Sequence, residues 1–93
     1  MQKAFQNSPD VSLAIRVLFF SSARTATGTA ESIIATEGSM NGDALWRKLT
    51  QTHPGLAELR GQIRLARNGE FVADGAIFQP GDEVAIIPPV SGG

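Results

Sequence analysis

The chain has 93 residues, with 8 Lys+Arg against 9 Asp+Glu, a single His, no Cys and a formal net charge of −1. Zero Cys excludes a disulfide framework, a Cys-ligated zinc or iron–sulfur site, a Cys nucleophile and a persulfide carried on the chain. The lone His53 excludes a multi-His metal cluster, and eight scattered basic residues do not form the stripe that nucleic-acid binding needs.

At about 100–200 residues per domain, the length sets one domain with one modest core. No apolar run approaches the ~20 residues needed to span a bilayer, so no membrane partner is expected. The first ten residues lack the apolar stretch of a secretory signal, and a cytoplasmic location is expected.

Met1–Asp10 is polar, ends Ser8-Pro9-Asp10 and is read as a flexible leader. From Val11 the pattern changes. Val11, Leu13, Ile15, Val17 and Phe19 alternate with Ser12, Ala14, Arg16, Leu18 and Phe20, a period of two that predicts a strand. Its second face turns apolar only at the end, with Leu18 and Phe20. Ser21–Gly28, rich in Ser, Thr and Ala, is a loop or one helical turn. Ala30–Thr36 carries the β-branched pair Ile33-Ile34 and predicts a second strand, hairpinned to the first.

Ser39–His53 is the one convincing helix. Ser39 or Asn41 can cap its free N–H groups, and Asp43 complements its dipole. Leu45, Trp46 and Leu49 form an apolar side; Arg47, Lys48 and Gln51 lie away from it. Pro54-Gly55 stops it, and Leu56–Arg60 adds a short turn. His53 precedes Pro54 at the helix end, a structural position rather than a catalytic one.

Gln62–Arg67 alternates Ile63, Leu65 and Arg67 against Arg64 and Ala66. Asn68-Gly69 then predicts a type I′ hairpin turn, from which Glu70-Phe71-Val72 returns. Gln79-Pro80-Gly81-Asp82 is a further turn. Val84–Ile87, nearly all apolar, predicts a strand buried on both faces in the middle of a sheet. The order is ββαβββ: one sheet with a single helix across it.

The chain continues past that strand as Pro88-Pro89-Val90-Ser91-Gly92-Gly93. The prolines forbid helix and favour an extended path, so six residues reach roughly 20 Å. Two glycines without side chains suit a narrow channel. An ordinary frayed terminus is the competing reading. Against it stand the departure straight from a buried strand, the proline stiffening, and a chain that stops at the second glycine. A terminal carboxylate is ionised at neutral pH and a poor electrophile. Activated as an acyl-adenylate, it could be displaced by sulfur to give a thiocarboxylate, or by an amine to give an isopeptide.

Gly81 through Gly93, GDEVAIIPPVSGG, resembles the C-terminal signature of the molybdopterin synthase small subunits (MoaD), a sulfur-carrier family. Val17-Leu18-Phe19-Phe20, followed by Ala23-Arg24, resembles that family's first strand and loop. The resemblance implies an α+β, β-grasp (ubiquitin-like) fold with a mixed sheet and one main helix. The divisions are then a leader over 1–10, the β-grasp domain over 11–87 and the extended tail over 88–93.

The resemblance further implies that Gly93 is adenylylated by an ATP-dependent E1-like adenylyltransferase and takes sulfur from a donor protein to become a thiocarboxylate. The tail would enter the synthase large subunit, in a heterotetramer, and pass sulfur to cyclic pyranopterin monophosphate. The chain would not be catalytic alone and would bind no cofactor, ATP being used by the activating enzyme. Pro88, Pro89, Val90, Ser91 and Gly92 would direct the arm. Phe20, Arg24 and Ile87 would form the docking surface. Arg67 stands where relatives often have a small or aliphatic residue and is expected at the surface. Alternatives are a carrier of the same fold in thiazole or sulfur-amino-acid synthesis, a protein modifier, and a binding module with an inert tail.

Overall fold

The computed structural model describes residues 13–73 and 75–89. The chain runs β1 (Ala14–Phe19), α1 (Ser21–Thr27), β2 (Glu31–Ala35), β3 (Met40–Asn41), α2 (Gly42–Thr52), a 3-10 helix (Pro54–Gln62), β4 (Arg64–Arg67), β5 (Glu70–Val72), β6 (Ile77–Phe78) and β7 (Glu83–Ile87). Five strands form one sheet in the order β2-β1-β7-β4-β5, and β3 and β6 form a separate two-stranded ribbon. β1 pairs with β7 in parallel; β1–β2, β4–β5, β4–β7 and β3–β6 are antiparallel.

The period-two pattern of β1 sorts its side chains as the sequence predicts. Ile15, Val17 and Phe19 are buried, while Arg16 and Phe20 are exposed. The start of the predicted strand, Val11 and Ser12, lies outside the described residues. Register carries the inner row across the sheet, from Ile34 through Ile15, and from Val17 and Phe19 to Val84 and Ile86. α2 closes this face with Leu45, Trp46 and Leu49, joined by Leu56 of the 3-10 helix and Phe78 of β6. Each fully buried side chain of this size contributes about 1.5–3 kcal/mol through area removed from water.

α2 starts later than the sequence suggests because β3 takes Met40 and Asn41. Of the two possible caps, Asn41 serves: its side-chain oxygen accepts from the Ala44 N–H at 2.8 Å. At the far end the His53 N–H donates to Leu49 O at 2.7 Å, and Pro54 opens the 3-10 helix. Trp46 packs in the core with the Arg60 guanidinium 5.6 Å from its ring centroid, and Arg60 also pairs with Asp43.

Three expectations are corrected. Ser21–Gly28 is neither a loop nor a single turn but the seven-residue helix α1. It forms because Ala23 buries completely while its Ser and Thr face outward, and Gly28 closes it by donating to Arg24 O at 2.8 Å. The single sheet is accompanied by the β3–β6 ribbon, which the sequence reading did not include. β7 is not buried on both faces: Val84 and Ile86 are buried, but Glu83, Ala85 and Ile87 are only half-buried, since no layer among the described residues covers the sheet's outer face. Arg67, expected at the surface, keeps partial exposure, and its guanidinium donates to Ile77 O at 2.7 Å, tying the sheet to the ribbon.

Two turns fix the ends of the central strand. Asn68 and Gly69 both have positive φ, 50° and 92°, as a type I′ hairpin requires. The Asn68 side chain accepts from the Glu83 N–H at 2.9 Å and donates to Asp82 at 3.2 Å. Gly81 takes φ +96° at the third position of the Gln79–Asp82 turn, which suits only glycine or asparagine there. On the outer face Arg16 bridges Glu31 of β2 and Glu83 of β7, at 3.0 and 3.2 Å. All three side chains are about half exposed, so each pair stabilises by at most ~1 kcal/mol.

Phe78 is completely buried and Phe71 is 55% exposed. Phe78→Ala should therefore cost about 3–5 kcal/mol of unfolding free energy, and Phe71→Ala less than about 1 kcal/mol, as measured by urea denaturation.

Candidate functional site

The root of the C-terminal arm is built by β7 and the end of β1. Phe19 and Ile86 are register partners, and both are buried. One residue further, the Phe20 N–H donates to Ile86 O at 3.3 Å, the last bond that holds β7 to β1. Beyond it Ile87 is half-buried, Pro88 is buried and Pro89 is exposed. The arm thus leaves the fold from a strand bonded on both sides, with Pro88 seated and Pro89 outside. Val90, Ser91, Gly92 and Gly93 lie outside the described residues.

Phe20 has two backbone duties that its side-chain pattern did not reveal. Besides the bond to Ile86, its carbonyl accepts from the Ala23 N–H at 2.9 Å and starts α1. Its φ and ψ are extended, −118° and 154°, so the ring continues the outward row of β1. It is 46% exposed. Ile87 occupies the corresponding place on β7, so these two predicted residues stand together at one end of adjacent strands. Arg24 stands one turn into α1 and is exposed; no ion pair among the described residues engages it. Its backbone N–H donates to Phe20 O at 3.4 Å, while its side chain makes no hydrogen bond to Phe20 or Ile87 among the described residues.

The outer face beside the arm holds more than the sequence reading found. Leu18, Ala85, Ala66 and Phe71 form one cross-sheet row by register. Ile87 pairs with Arg64 in the next, and the Arg64 guanidinium sits 4.0 Å from the Phe71 ring centroid. Phe71 and Arg64 were missed because each is ordinary in its own strand; only the pairing of β4 with both β5 and β7 brings them to Ile87. The alternation of Gln62–Arg67 was the available signal, since it places Arg64 and Ala66 on one face. A contiguous apolar surface with a cation at its rim is suited to binding another protein.

His53 fits its structural assignment. Its ring meets Phe19 edge-on with centroids 5.4 Å apart, and its Nε2 is buried with no hydrogen-bond partner among the described residues. Among the described residues there is no cluster of His, Cys, Asp or Glu that could hold a metal ion. No helix among them is long and apolar enough to cross a membrane.

A mixed five-stranded sheet, one long helix across its inner face and parallel first and last strands at its centre define a β-grasp protein of the ubiquitin-like class, with its C-terminal arm rooted in the central strand. The chain belongs to the ThiS family, whose profile matches residues 17–93. It is 39% identical over 82 residues to the human molybdopterin synthase sulfur carrier subunit, a match covering 85% of this chain and 93% of the relative. Among solved structures it resembles SAMP1 of Haloferax volcanii, with a TM-score of 0.74 and 32% identity over 86% of this chain and 99% of that one. It also resembles a chain from the complex of subunits 1 and 2 of the molybdopterin-converting factor of Helicobacter pylori. There the TM-score is 0.61 and the identity 25%, covering 86% of this chain and 99% of that one.

Adjacent phenylalanines have opposite roles at this site. Phe19→Ala should cost about 3–5 kcal/mol of stability. Phe20→Ala, which keeps the backbone bond to Ile86, should cost less than about 1.5 kcal/mol. Chemical denaturation of the two variants checks this.

Proposed function

We propose that this chain is the sulfur-carrier small subunit of a molybdopterin synthase, carrying sulfur on the carboxyl of Gly93. One observation bears the most weight. The match to the ThiS family runs through residue 93, so Gly92-Gly93 falls within the family region, and relatives 39% identical to this chain are named as sulfur carrier subunits. The structure supports the reading at the arm's root, where a two-sided central strand and a buried Pro88 fix the place at which the chain leaves the sheet.

The chemistry follows from the carboxylate. An E1-like adenylyltransferase joins it to AMP from ATP and releases pyrophosphate. A persulfide on a donor protein attacks the acyl carbon and the C–O bond to AMP breaks; a second thiol then cleaves the resulting acyl disulfide, forming a disulfide with the donor sulfur and releasing the thiocarboxylate. In the synthase large subunit the thiocarboxylate sulfur attacks a carbon of cyclic pyranopterin monophosphate and displaces an oxygen substituent, and water hydrolyses the resulting thioester, which leaves the sulfur on the pterin and regenerates the terminal carboxylate. Two rounds supply both sulfurs of the dithiolene. The chain catalyses none of these steps by itself and acts as the sulfur-donating subunit of the complex. Its absent Cys is no obstacle, because the sulfur rides on the terminus.

The functional divisions are the fold over 11–87 and the arm over 88–93. Near the tip Ser91 is small, and Gly92 leaves clearance in a channel. Phe20, Ile87 and the neighbouring Phe71–Arg64 pair are the surface that docks on the large subunit, with Arg24 at its margin. The cytoplasm, where ATP is available, is the proposed compartment.

A second reading, a protein modifier, draws on the likeness to a small archaeal modifier protein. The same activated carboxyl would then form an isopeptide with a lysine amine.

The decisive measurement is intact mass after incubation with an activating enzyme, ATP and a sulfur donor. The expected gain equals the exchange of one oxygen for sulfur; an unchanged mass overturns the carrier reading, and lysine conjugates favour the modifier. Deleting Gly93 should abolish the mass gain while shifting the unfolding free energy by less than about 0.5 kcal/mol, measured by denaturation of both forms.

A further inference from the structure

Two Asn-Gly pairs occur in the sequence, Asn41-Gly42 and Asn68-Gly69. Such a pair is open to loss of ammonia, because glycine has no side chain to shield its amide nitrogen or to restrict the rotation that brings it to the asparagine Cγ. The nitrogen gives up its proton to base and bonds to Cγ. The bond from Cγ to the side-chain nitrogen breaks, and that nitrogen leaves as ammonia. Water then opens the cyclic imide at one of its two carbonyls. One opening gives aspartate; the other gives isoaspartate, in which the main chain runs through the side-chain carbon. One water enters and one ammonia leaves, so no oxidant or co-reactant is needed.

The fold uses the two asparagines differently. Asn41 caps α2 through its side-chain oxygen alone. Aspartate caps as well as asparagine does, and its charge suits the positive end of the helix. Asn68 instead meets the start of β7 with three bonds. Its backbone N–H donates to Glu83 O at 2.8 Å, its Oδ1 accepts from the Glu83 N–H at 2.9 Å, and its Nδ2 donates to Asp82 Oδ1 at 3.2 Å. The other oxygen of Asp82 accepts from the Gln79 N–H at 2.8 Å, which fixes that carboxylate where Nδ2 meets it. Both polar atoms of the Asn68 side chain are thus engaged on β7 and the turn before it. The carboxamide cannot turn to the Gly69 nitrogen without giving up both bonds. Asn68 and Gly69 are nevertheless exposed, so water and base reach the turn whenever it opens.

We propose that Asn68-Gly69 is a deamidation site that the folded turn holds off, and that its products cannot rebuild the lock on β7. Aspartate at position 68 keeps the bond from the Glu83 N–H but sets a carboxylate oxygen against Asp82, where an amide now donates, and like charges so placed oppose each other. Isoaspartate lengthens the backbone of a two-residue turn. The type I′ geometry of that turn, with φ of 50° and 92°, sets the register of β4 on β5. Opening of the turn is therefore both the step that frees the amide for attack and the state that the product favours. The change is one-way, and it acts on the strand that carries the arm, at the end opposite Pro88.

The test uses the full chain beside an acetylated peptide, Ala-Arg-Asn-Gly-Glu, which copies residues 66–70. Both are incubated in one mildly alkaline buffer, then analysed by intact mass and peptide mapping. The mass gain of water less ammonia should appear at Asn68 more slowly in the folded chain than in the peptide, by about tenfold or more, because attack must wait for local opening. Asn68→Asp should lower the thermal midpoint at neutral pH by about 4–8 °C, and Asn41→Asp by less than about 2 °C. Adding Asp82→Asn to Asn68→Asp exchanges donor and acceptor and should restore part of the loss. Equal rates in chain and peptide would overturn the proposal, as would an Asn68→Asp variant as stable as the unaltered chain, or no recovery in the double variant. If Asn68→Asp does not fold, the rate comparison on the unaltered chain and the recovery of folding in the double variant decide.

Discussion

The structure depends on one placement: the last strand lies between the first and the fourth, hydrogen-bonded to both. A strand in that position has no free edge and no freedom of register, because a slip by one residue would turn Val84 and Ile86 out of the core. Fixing β7 fixes the direction in which Pro88 leaves the sheet. The inner row from Ile34 to Ile86, the packing of α2 and the locks from Asn68 and Asp82 all hold that strand. The fold is, in effect, a mount for the segment that begins at Pro88.

The two faces of the sheet divide the remaining work. The inner face is fully occupied by the core. The outer face has no covering layer among the described residues, and its polar end is closed by Arg16 reaching two glutamates. Its apolar end, from Leu18 to Phe71, lies at the root of the arm. A partner that takes hold of the arm therefore meets apolar surface at the same end of the sheet.

What the sequence disclosed follows from how local each signal is. The alternation in β1, the Asn-Gly turn and the capped, amphipathic α2 are written within a few residues of themselves, and the structure has all three, α2 starting later than expected at Gly42. α1 was reduced to a turn because its seven residues hold one apolar anchor, Ala23, too little for a period to show. The β3–β6 ribbon consists of two-residue strands, which carry no pattern. The apolar run of β7 suited burial on both faces, and only the missing outer layer decides otherwise. The bond from Arg67 to Ile77 O could not be read locally, because the acceptor is ten residues away along the chain. At the site, Pro88-Pro89 and the glycines could be read directly, whereas the Phe71–Arg64 pair beside Ile87 exists only through tertiary register.

The parallel pairing of first and last strands has a consequence for the order of events in the cell. Arg16 and Glu83, which meet across that pairing, are 67 residues apart in sequence. Contacts of such separation form slowly because the loop between them must close first. Synthesis delivers the N-terminal part earliest, so β1 waits beside an empty place until almost the whole domain has emerged from the ribosome. A chain cut short before β7 has neither a closed sheet nor an aimed arm. The topology thus makes the central pairing of the sheet, and the direction in which Pro88 leaves it, depend on a nearly complete domain.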